Sequence, residues 1–380
     1  MKNLILISII LFSIFACNDG IKEDKIIDVL KVDKLKVAVF DGNGAGAISV
    51  IETIEALRID TGIYAVAISA YEIQLGKLSE FDALIFPGGS GSKELNNLGK
   101  KGKEIVGDFI RKEGKGIVGI CAGGYLLSST SGYPNLSIES SVHIDRAHYN
   151  RGRGLVEFTL TESGQKIFPE LKGGKMFAQY YDGPVLVQSD STEGTYEEQA
   201  TFVTDIHPDN FAPIGITPGR TFSLNEKVGK GRVFIIAGHP ESTPGMRWMV
   251  PRMTRWVCNS DLVLYNEHWV RPEINDSAIF FTKARRKAEK KLFWELFSDS
   301  SEVQISAMNQ LYDWRSRPAV RWNIGLLRDN NAETRANAAR LLMETEYTFA
   351  LPDIKAAYKL ESNPEVKETM KLAIDLLMEN

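Results

Sequence analysis

The chain has 380 residues, of which 43% are apolar and 25% charged, so it is long enough for one large domain and a smaller one with a substantial core. Its formal net charge of −4 gives no broad attraction to nucleic acid or to acidic membranes. After the N-terminus, no segment approaches the about 20 uncharged apolar residues that a membrane-spanning helix needs.

The first 17 residues have the pattern of an export signal. Lys2 precedes an apolar run at 4–15, and a polar stretch follows Cys17. Ile14-Phe15-Ala16-Cys17 resembles a bacterial lipobox, in which the cysteine carries lipid. We therefore expect an exported protein, anchored to the bacterial cell envelope through Cys17, with residues 18–34 as a charged tether. A plain signal peptide or a single N-terminal anchor is the alternative, and the sequence does not choose the membrane or its face.

Strands and helices alternate through the next hundred residues. Apolar, β-rich runs predict strands, and helical apolar spacing predicts the segments between them. The predicted strands are Leu35–Phe40, Ile63–Ile68, Phe81–Phe86 and Gly116–Ile120, and the helices are Ile48–Leu57, Gly102–Lys112 and Ala122–Ser128. Because the strands are almost continuously apolar, the pattern predicts an α/β fold with a parallel sheet covered by helices on both faces.

The pattern changes twice further along the chain. From about Gly132 to Gly231 it becomes β-rich with Gly and Pro turns, for example at Leu155–Leu160 and Val185–Val187. A last strand at Arg232–Ile236 and a helix at Met246–Val257 then close the predicted α/β domain, 35–271. In that helix, Pro251 is tolerable only near the first turn.

Residues 272–380 predict an all-α region without strands. Three similar segments each have an Asp or Asn shortly before them and an apolar helix after them, and their glutamates Glu302, Glu333 and Glu365 lie 31 and 32 positions apart. This period implies stacked helical pairs that resemble short HEAT-like repeats, although HEAT repeats usually have about 40–47 residues. A plain helical bundle with coincidental spacing is the alternative.

Cys121 follows a predicted buried strand and begins a helix within Gly119-Ile120-Cys121-Ala122-Gly123-Gly124. A sharp strand-to-helix turn of this kind exposes a nucleophile, and small neighbours avoid collisions at the bend. The following helix N-terminus should favour the thiolate. A small core cysteine, or a disulfide with Cys258, is the alternative.

His239 and Glu241 supply the partners that a cysteine nucleophile needs. A base must accept the thiol proton, and a carboxylate must orient the base. His-x-Glu at a strand end is expected to put both side chains on one face, and both strand ends should meet at the carboxyl edge of the sheet. The amides of Gly88, Gly89 and Ala122 are candidates for an oxyanion site.

These motifs resemble the class I glutamine amidotransferase-like superfamily, with its flavodoxin-like sheet. The resemblance lies in Phe86-Pro87-Gly88-Gly89, in the segment around Cys121 and in Gly238-His239-Pro240-Glu241. It implies that Cys121, His239 and Glu241 form a catalytic triad. Tyr180-Tyr181-Asp182-Gly183-Pro184 and Gly229-Lys230-Gly231-Arg232-Val233 are closer to the biotin-protein-ligase N-terminal-like domain, which adds Tyr181 as a candidate substrate-binding residue.

Several other motifs have weaker functional interpretations. Residues 42–47 fit a dinucleotide fingerprint with Asp60 or Glu72 as the acid, but these glycines more readily let the first loop pass close to Cys121. The sequence of 151–154 superficially resembles a ligase adenylate loop, and we interpret it as a basic loop.

The remaining histidines suggest no metal site. His143 and His148, near Asp145, are expected in a solvated polar loop, and contact with a substrate or a metal is the alternative. His207 and His268 have no evident partners. We predict no cofactor and no metal.

The leading hypothesis is a thiol hydrolase or amidase acting on a small amide, a peptide or an envelope component. The alternative is an inactive binding module whose helical repeats dock a protein partner. A third option is a chaperone or glyoxalase-like thiol protein, in which Asp41 or Glu52 would stand beside the cysteine. Fold alone does not choose among these.

Overall fold

Five parallel strands form one half of a twelve-stranded mixed sheet. The computed structural model describes residues 34–144, 152–171, 173–189, 194–207 and 214–379. The parallel strands are β1 (Leu35–Phe40), β2 (Ile63–Ile68), β3 (Ala83–Phe86), β4 (Gly116–Ile120) and β11 (Gly231–Ile236). Their order is β2-β1-β3-β4-β11, which is the order of flavodoxin-like sheets. Ligands of such sheets bind beyond the carboxyl ends of the strands, next to the point where the order reverses.

Antiparallel strands continue the sheet beyond β11. They are β5 (Ser141–His143), β6 (Arg153–Leu160), β7 (Met176–Tyr181), β8 (Leu186–Gln188), β9 (Glu197–Phe202), β10 (Thr221–Val228) and β12 (Ile279–Phe280). β10 pairs with β11, then β9 and β6 follow, while β7 and β12 pair with β6, and β8 joins β5 to β10. The expectation that no strand follows Pro272 was wrong, because the chain returns to the sheet at β12 before the helical region begins.

Helices cover both faces of the parallel strands. They are α1 (Ala47–Leu57), α2 (Ala70–Gln74), α3 (Gly91–Arg111, kinked at Gly99), α4 (Ala122–Leu127), α5 (Glu162–Ile167) and α6 (Met249–Val257), with 3-10 turns at Lys77–Glu80 and Pro240–Ser242. Successive residues of β1 enter different cores, Val37 and Val39 on one face and Ala38 and Phe40 on the other. This two-sided burial explains why the strand is continuously apolar.

The start of α3 differs from the sequence prediction, whereas Pro251 in α6 lies where the prediction required it. α3 begins at Gly91, eleven residues before the predicted start, because the kink at Gly99 interrupts the apolar spacing. Pro251 is the third residue of α6, within the first turn, where no intrahelical N–H bond is lost.

Six helices follow β12. They are α7 (Lys283–Glu295), α8 (Ser301–Asp313), α9 (Ala319–Leu326), α10 (Ala332–Glu344), α11 (Leu351–Leu360) and α12 (Pro364–Met378), with a 3-10 turn at Thr348–Ala350 among them, while a 3-10 turn at Pro272–Ile274 precedes β12. The three similar sequence segments begin α8, α10 and α12. Ser300, Asn331 and Asn363 cap them by accepting hydrogen bonds from backbone amides of the first turn. α10 packs against both α8 and α12, so equivalent helices lie side by side over one apolar core.

The chain from Leu35 onward forms one compact unit, in which the helical region packs on the sheet domain. The Gln179 side-chain amide donates to the Arg315 carbonyl (2.9 Å), and the Glu346 carboxylate accepts from the Gly245 amide (3.1 Å). Among the residues that the structure describes, no helix is long and apolar enough to cross a membrane. The predicted signal and Cys17 lie outside the described residues.

Candidate active site

Cys121 lies at the turn between β4 and α4. Its φ of 51° and ψ of −102° are uncommon for a residue with a side chain. The Cys121 amide donates to the Ile236 carbonyl of β11 (2.9 Å), which fixes the turn to the neighbouring strand. Its Sγ lies 3.5 Å from the Tyr181 carbonyl oxygen, and the residue is 5% exposed. The chain therefore makes the sharp strand-to-helix turn predicted from its glycines.

Glycine is required at two positions after the cysteine. A Cβ on Gly123 would lie 2.3 Å from the Phe86 carbonyl oxygen, and one on Gly124 would lie 2.9 Å from Cγ of Pro184. Both distances are far below van der Waals contact. These glycines allow α4 to start directly against β3 and the turn after β7, which places Cys121 at the carboxyl edge of the sheet.

His239 and Glu241 form a buried pair directly after β11. The His239 Nδ1 and Glu241 Oε1 atoms are 2.6 Å apart, and the two side chains are 2% and 0% exposed. The sequence suggested that strand alternation would bring these two side chains together. In the structure a 3-10 turn at Pro240–Ser242 makes the contact instead. The turn brings Glu241 back against the ring. When Nδ1 donates to the carboxylate, Nε2 is the ring atom that can accept a proton.

Burial sets the protonation states of the thiol and the imidazole. It raises the pKa of Cys121 to about 12, against the opposing effects of the Arg317 charge and the Ala122 amide. Burial and Arg317 also lower the pKa of His239 below its ordinary value, while Glu241 raises it. The Ala122 amide at the start of α4 lowers the pKa of the thiol, the direction expected for a helix N-terminus, but burial raises it by more. A raised pKa of the thiol and a lowered pKa of the imidazole both favour the uncharged forms of these two groups.

Arg317, which the sequence analysis missed, enters the site from the loop between α8 and α9. Its guanidinium donates to Glu52 Oε2 (2.7 Å) and Ser49 Oγ (3.0 Å), and it lies 3.4 Å from Glu241 Oε1. The side chain is 13% exposed. Arg317 thus connects the first helix of the sheet domain to the carboxylate that orients His239.

A cavity of about 330 Å³ opens at these residues. Its lining includes Cys121, His239, Tyr181 and Arg317, together with the loop before α1 and the glycines after β3. Gly46 of the first glycine loop borders the cavity, in agreement with the expectation that this loop passes close to Cys121, and Ser49 of α1 borders it too. The volume falls in the range of about 300–1,000 Å³ that is typical of small-molecule sites.

The two glycines after β3 hold the wall of this cavity close to His239. A Cβ on Gly88 would lie 2.4 Å from Cε1 of His239, and one on Gly89 would lie 2.1 Å from the Gly44 carbonyl oxygen. Gly88 and Gly89 border the cavity together with Cys121. The Ala122 amide lies at the thiol itself, where it opposes the rise in its pKa. Gly88 and Gly89 therefore line the same cavity as Cys121, and the Ala122 amide lies at the sulfur.

Other sequence candidates lie away from this cavity. His143 is buried, with its ring edge-on to Tyr125 and Tyr133 at 5.1 and 4.9 Å, which corrects its placement in a solvated loop. His207 lies 3.0 Å from Asp205, a partner that the sequence did not reveal. His148, Asp145 and Arg151 lie outside the described residues.

The structure also locates the residues of two alternative interpretations, a disulfide of Cys121 with Cys258 and a carboxylate beside Cys121. Cys121 and Cys258 are free thiols, so the suggested disulfide is absent. Asp41 is exposed, and Glu52 is bound to Arg317 and Ser242. Within the described ranges, no cluster of histidine, cysteine and acidic residues could hold a metal ion.

The sheet half that carries Cys121 has a recognisable family pattern. Residues 35–148 match the family model for the N-terminal domain of biotin-protein ligase. The match contains the Gly88-Gly89 turn and the Cys121 elbow, and it ends before His239. This segment is therefore biotin-protein-ligase N-terminal-like. No curated protein matches the chain.

Solved structures similar to this chain share little sequence with it. A β-galactosidase from Bacillus circulans sp. alkalophilus is 16% identical, with 60% of this chain and 32% of that one covered and a TM-score of 0.35. A thua-like protein from Parabacteroides merdae is 11% identical, with 62% and 93% covered and a TM-score of 0.43. An exo-β-1,4-mannosidase from an Opitutaceae bacterium is 11% identical, with 63% and 38% covered and a TM-score of 0.34. The chain spans about a third of the length of the β-galactosidase.

Proposed function

We propose that this protein is a cysteine-dependent hydrolase of amides or esters, with Cys121 as nucleophile, His239 as general base and Glu241 as the residue that orients His239. One observation carries the proposal: an elbow cysteine and a histidine held by a buried carboxylate border the same cavity. A structural cysteine in a core needs neither partner. The biotin-protein-ligase N-terminal-like match of residues 35–148 covers the elbow and is consistent with this assignment.

The neutral state of the thiol determines the first step. As Cys121 Sγ bonds to the carbonyl carbon of the substrate, its proton passes to Nε2 of His239, and the carbonyl electrons move to the oxygen. The amides of Gly88, Gly89 and Ala122 would stabilise that oxyanion. Collapse of the intermediate breaks the bond to the amine or alcohol, which leaves with the proton from His239. Water, deprotonated by His239, then hydrolyses the thioester and restores the thiol.

Tyr181 and Arg317 define the substrate side of the site. Tyr181 borders the cavity, and the Arg153 guanidinium lies over its ring at 3.8 Å, which holds the ring in place. Arg317 borders the same cavity, but Glu52 and Glu241 neutralise its charge. We therefore favour an uncharged acyl group as the part of the substrate that faces the sulfur.

The cellular setting that we propose comes from the sequence. The segment 1–17 has the lipobox-like pattern of an exported lipoprotein, and an envelope amide or peptide would then be within reach. We also propose that the helical pairs of α7–α12 are HEAT-like repeats, since three equivalent capped helices stack over one core.

Acylation of Cys121 tests the hydrolase proposal directly. The full-length protein is mixed with p-nitrophenyl esters and p-nitroanilides of different acyl length, and the release of chromophore and the intact mass are followed. We expect an acyl adduct on Cys121 and a loss of at least about 100-fold in its formation rate in His239→Asn, as removal of a general base produces. Glu241→Gln should also slow acylation, because the amide cannot stabilise the imidazolium.

Cys258→Ser is the matched control, since Cys258 is the other free thiol in the described part of the chain. This variant should acylate at the rate of the wild type. Equal adduct formation in wild type and His239→Asn, or adducts only on Cys258, would overturn the assignment.

A second candidate function, docking of a protein partner, has its own observation. Trp294, Phe297 and Trp322 form an apolar cluster on the helical region, with exposed fractions of 78%, 63% and 45%. Exposed aromatic clusters commonly mark protein interfaces. If this were the sole function, Trp294→Ser would change the biological phenotype and Cys121→Ala would not.

A further inference from the structure

The outer side of α7 carries a row of exposed lysines. This helix has six lysine or arginine side chains and two glutamates in 13 residues, although the chain as a whole has a net charge of −4. Lys283, Lys287, Lys290 and Lys291 are all exposed. Steps of three and four positions connect Lys283 to Lys287 and Lys287 to both Lys290 and Lys291, so the four side chains share one side of the helix. We call them the lysine stripe.

The other side of α7 packs against the protein and fixes the orientation of the helix. Glu289 accepts a hydrogen bond from the Ser316 hydroxyl (2.6 Å), and Arg285 donates to the Phe280 carbonyl (3.0 Å). Leu292 and Phe293 are partly buried against the apolar core of the helical region. The lysine stripe is therefore held on the solvent side of α7.

The lysine stripe leads to the aromatic cluster of Trp294, Phe297 and Trp322. Trp294 follows Lys287 by seven positions and Lys290 by four, so it continues the stripe along the same side of α7. The ring centroids of Trp294 and Phe297 are 6.5 Å apart, and those of Phe297 and Trp322 are 5.5 Å apart. Positive charge and exposed aromatic rings thus form one continuous surface.

Acidic residues border this surface at its aromatic end. Glu295 forms an ion pair with Lys291 (2.9 Å). Asp299 and Glu302 are exposed and follow Phe297 in the chain, the first just before α8 and the second within it. The excess positive charge therefore lies on the part of the stripe that precedes the aromatic cluster.

Lysines beside exposed aromatic rings favour a lipid surface over a protein as the occupant. Protein interfaces are enriched in aromatic residues but depleted in lysine. Helices that lie on membranes combine lysine or arginine with tryptophan and phenylalanine. Their cations attract anionic headgroups, and their aromatic rings lie at the boundary between the headgroups and the acyl chains. The surface of α7 supplies both kinds of side chain.

We propose that the lysine stripe and the aromatic cluster bind the surface of a membrane that contains anionic phospholipids. The ammonium groups lie among the headgroup phosphates, and the aromatic rings enter the headgroup boundary beside them. This proposal assigns the aromatic cluster to lipid, whereas the second candidate function assigns it to a protein. The contact requires neither a lipid on Cys17 nor a reactive Cys121, so it goes beyond the proposed function.

Quenching of tryptophan fluorescence by lipids brominated in their acyl chains tests the contact. The full-length protein is mixed with brominated phosphatidylcholine vesicles that contain or lack phosphatidylglycerol, and Trp294 and Trp322 are the exposed reporters. We expect the wild type to be quenched on the anionic vesicles. Quenching should be at least about twofold weaker on the neutral vesicles, and also in Lys287→Gln/Lys290→Gln on the anionic ones, because each lysine near an anionic surface strengthens binding.

Lys100→Gln/Lys101→Gln is the matched control, because it removes the same charge from exposed positions of α3. It should be quenched like the wild type. Every variant keeps residues 1–17, so any binding through that segment is the same in all of them.

Two results would show that the lysine stripe does not direct the contact. These are equal quenching of the wild type and Lys287→Gln/Lys290→Gln on anionic vesicles, and an equal loss in the control variant. No quenching of the wild type on anionic vesicles would overturn the lipid assignment and leave a protein as the occupant of the aromatic cluster.

Discussion

Replacing Arg317 by methionine tests whether the helical region completes the active site. The guanidinium donates to Glu52 and Ser49 and lies against Glu241. The Glu52 and Glu241 side chains are 6% and 0% exposed. Methionine keeps most of the length of the side chain but leaves two buried carboxylates without their shared cation. Glu52 would keep Ser242, and Glu241 would keep His239.

The expected loss in the free energy of unfolding is about 3–5 kcal/mol, the usual effect of removing one partner from a buried ion pair. An exposed pair contributes only about 0–1 kcal/mol. Arg328→Met is the matched control, because Arg328 and Asp353 are 3.9 Å apart, with side chains that are 63% and 41% exposed. Glu52→Gln added to Arg317→Met should recover part of the loss, since fewer buried charges then lack a partner.

Urea unfolding measures these differences, because guanidinium salts would screen the ion pairs. Five proteins are compared: the wild type, the single variants Arg317→Met and Glu52→Gln, their double variant, and the control Arg328→Met. A loss below about 1 kcal/mol for Arg317→Met, equal to that of Arg328→Met, would refute the reasoning. So would strict additivity of the Arg317 and Glu52 changes, since coupled residues deviate by about 0.5–3 kcal/mol.

Three further predictions concern His239, Glu94 and Gly88. Burial and Arg317 lower the pKa of His239, so the acid limb of kcat/KM should lie below its ordinary value of 6.5 and move to higher pH in Arg317→Met; an unmoved limb would contradict this. Burial raises the pKa of Glu94 to about 8, because the protonated carboxyl is the form that the fold favours. The contribution of Glu94 to the free energy of unfolding is therefore present at pH 4.5 and is lost as the pH rises through 8. Glu94→Gln should therefore stabilise the fold by roughly 4 kcal/mol at pH 8 and little at pH 4.5, and an equal gain in urea unfolding at both pH values would refute the linkage. Gly88→Ala should reduce esterase activity by about 100-fold or more, because its Cβ would displace the His239 ring, whereas Gly325→Ala, which meets nothing within 4 Å, should retain full activity.

Local patterns in the sequence predicted the sheet half that carries the nucleophile. Residues 35–40 and 116–120 are apolar throughout because both faces of the sheet are covered, and this leaves a signal that needs no tertiary information. The turn at Cys121 was predicted from its run of small residues, although the tertiary structure supplies the reason for two of its glycines, since Gly123 lies against Phe86 of β3 and Gly124 against Pro184. Glu241 was correctly expected beside His239, although a 3-10 turn makes the contact.

Some features could be known only from the tertiary structure, namely the charged partner Arg317 of the site, the strand β12 and the burial of the site residues. Arg317 meets Glu52 across 265 positions of sequence, and no short-range pattern encodes such a pairing. The short strand at Ile279–Phe280 is equally non-local, because two residues gain their partners only from β6. The pKa of Cys121 depends on the packing around it: a helix N-terminus favours the thiolate, but burial in the assembled fold outweighs this effect. Local patterns in the sequence therefore predicted Cys121, His239 and Glu241 as partners, whereas the burial that shifts the pKa values of Cys121 and His239 was decided only by the tertiary structure, because desolvation is a property of the assembled fold.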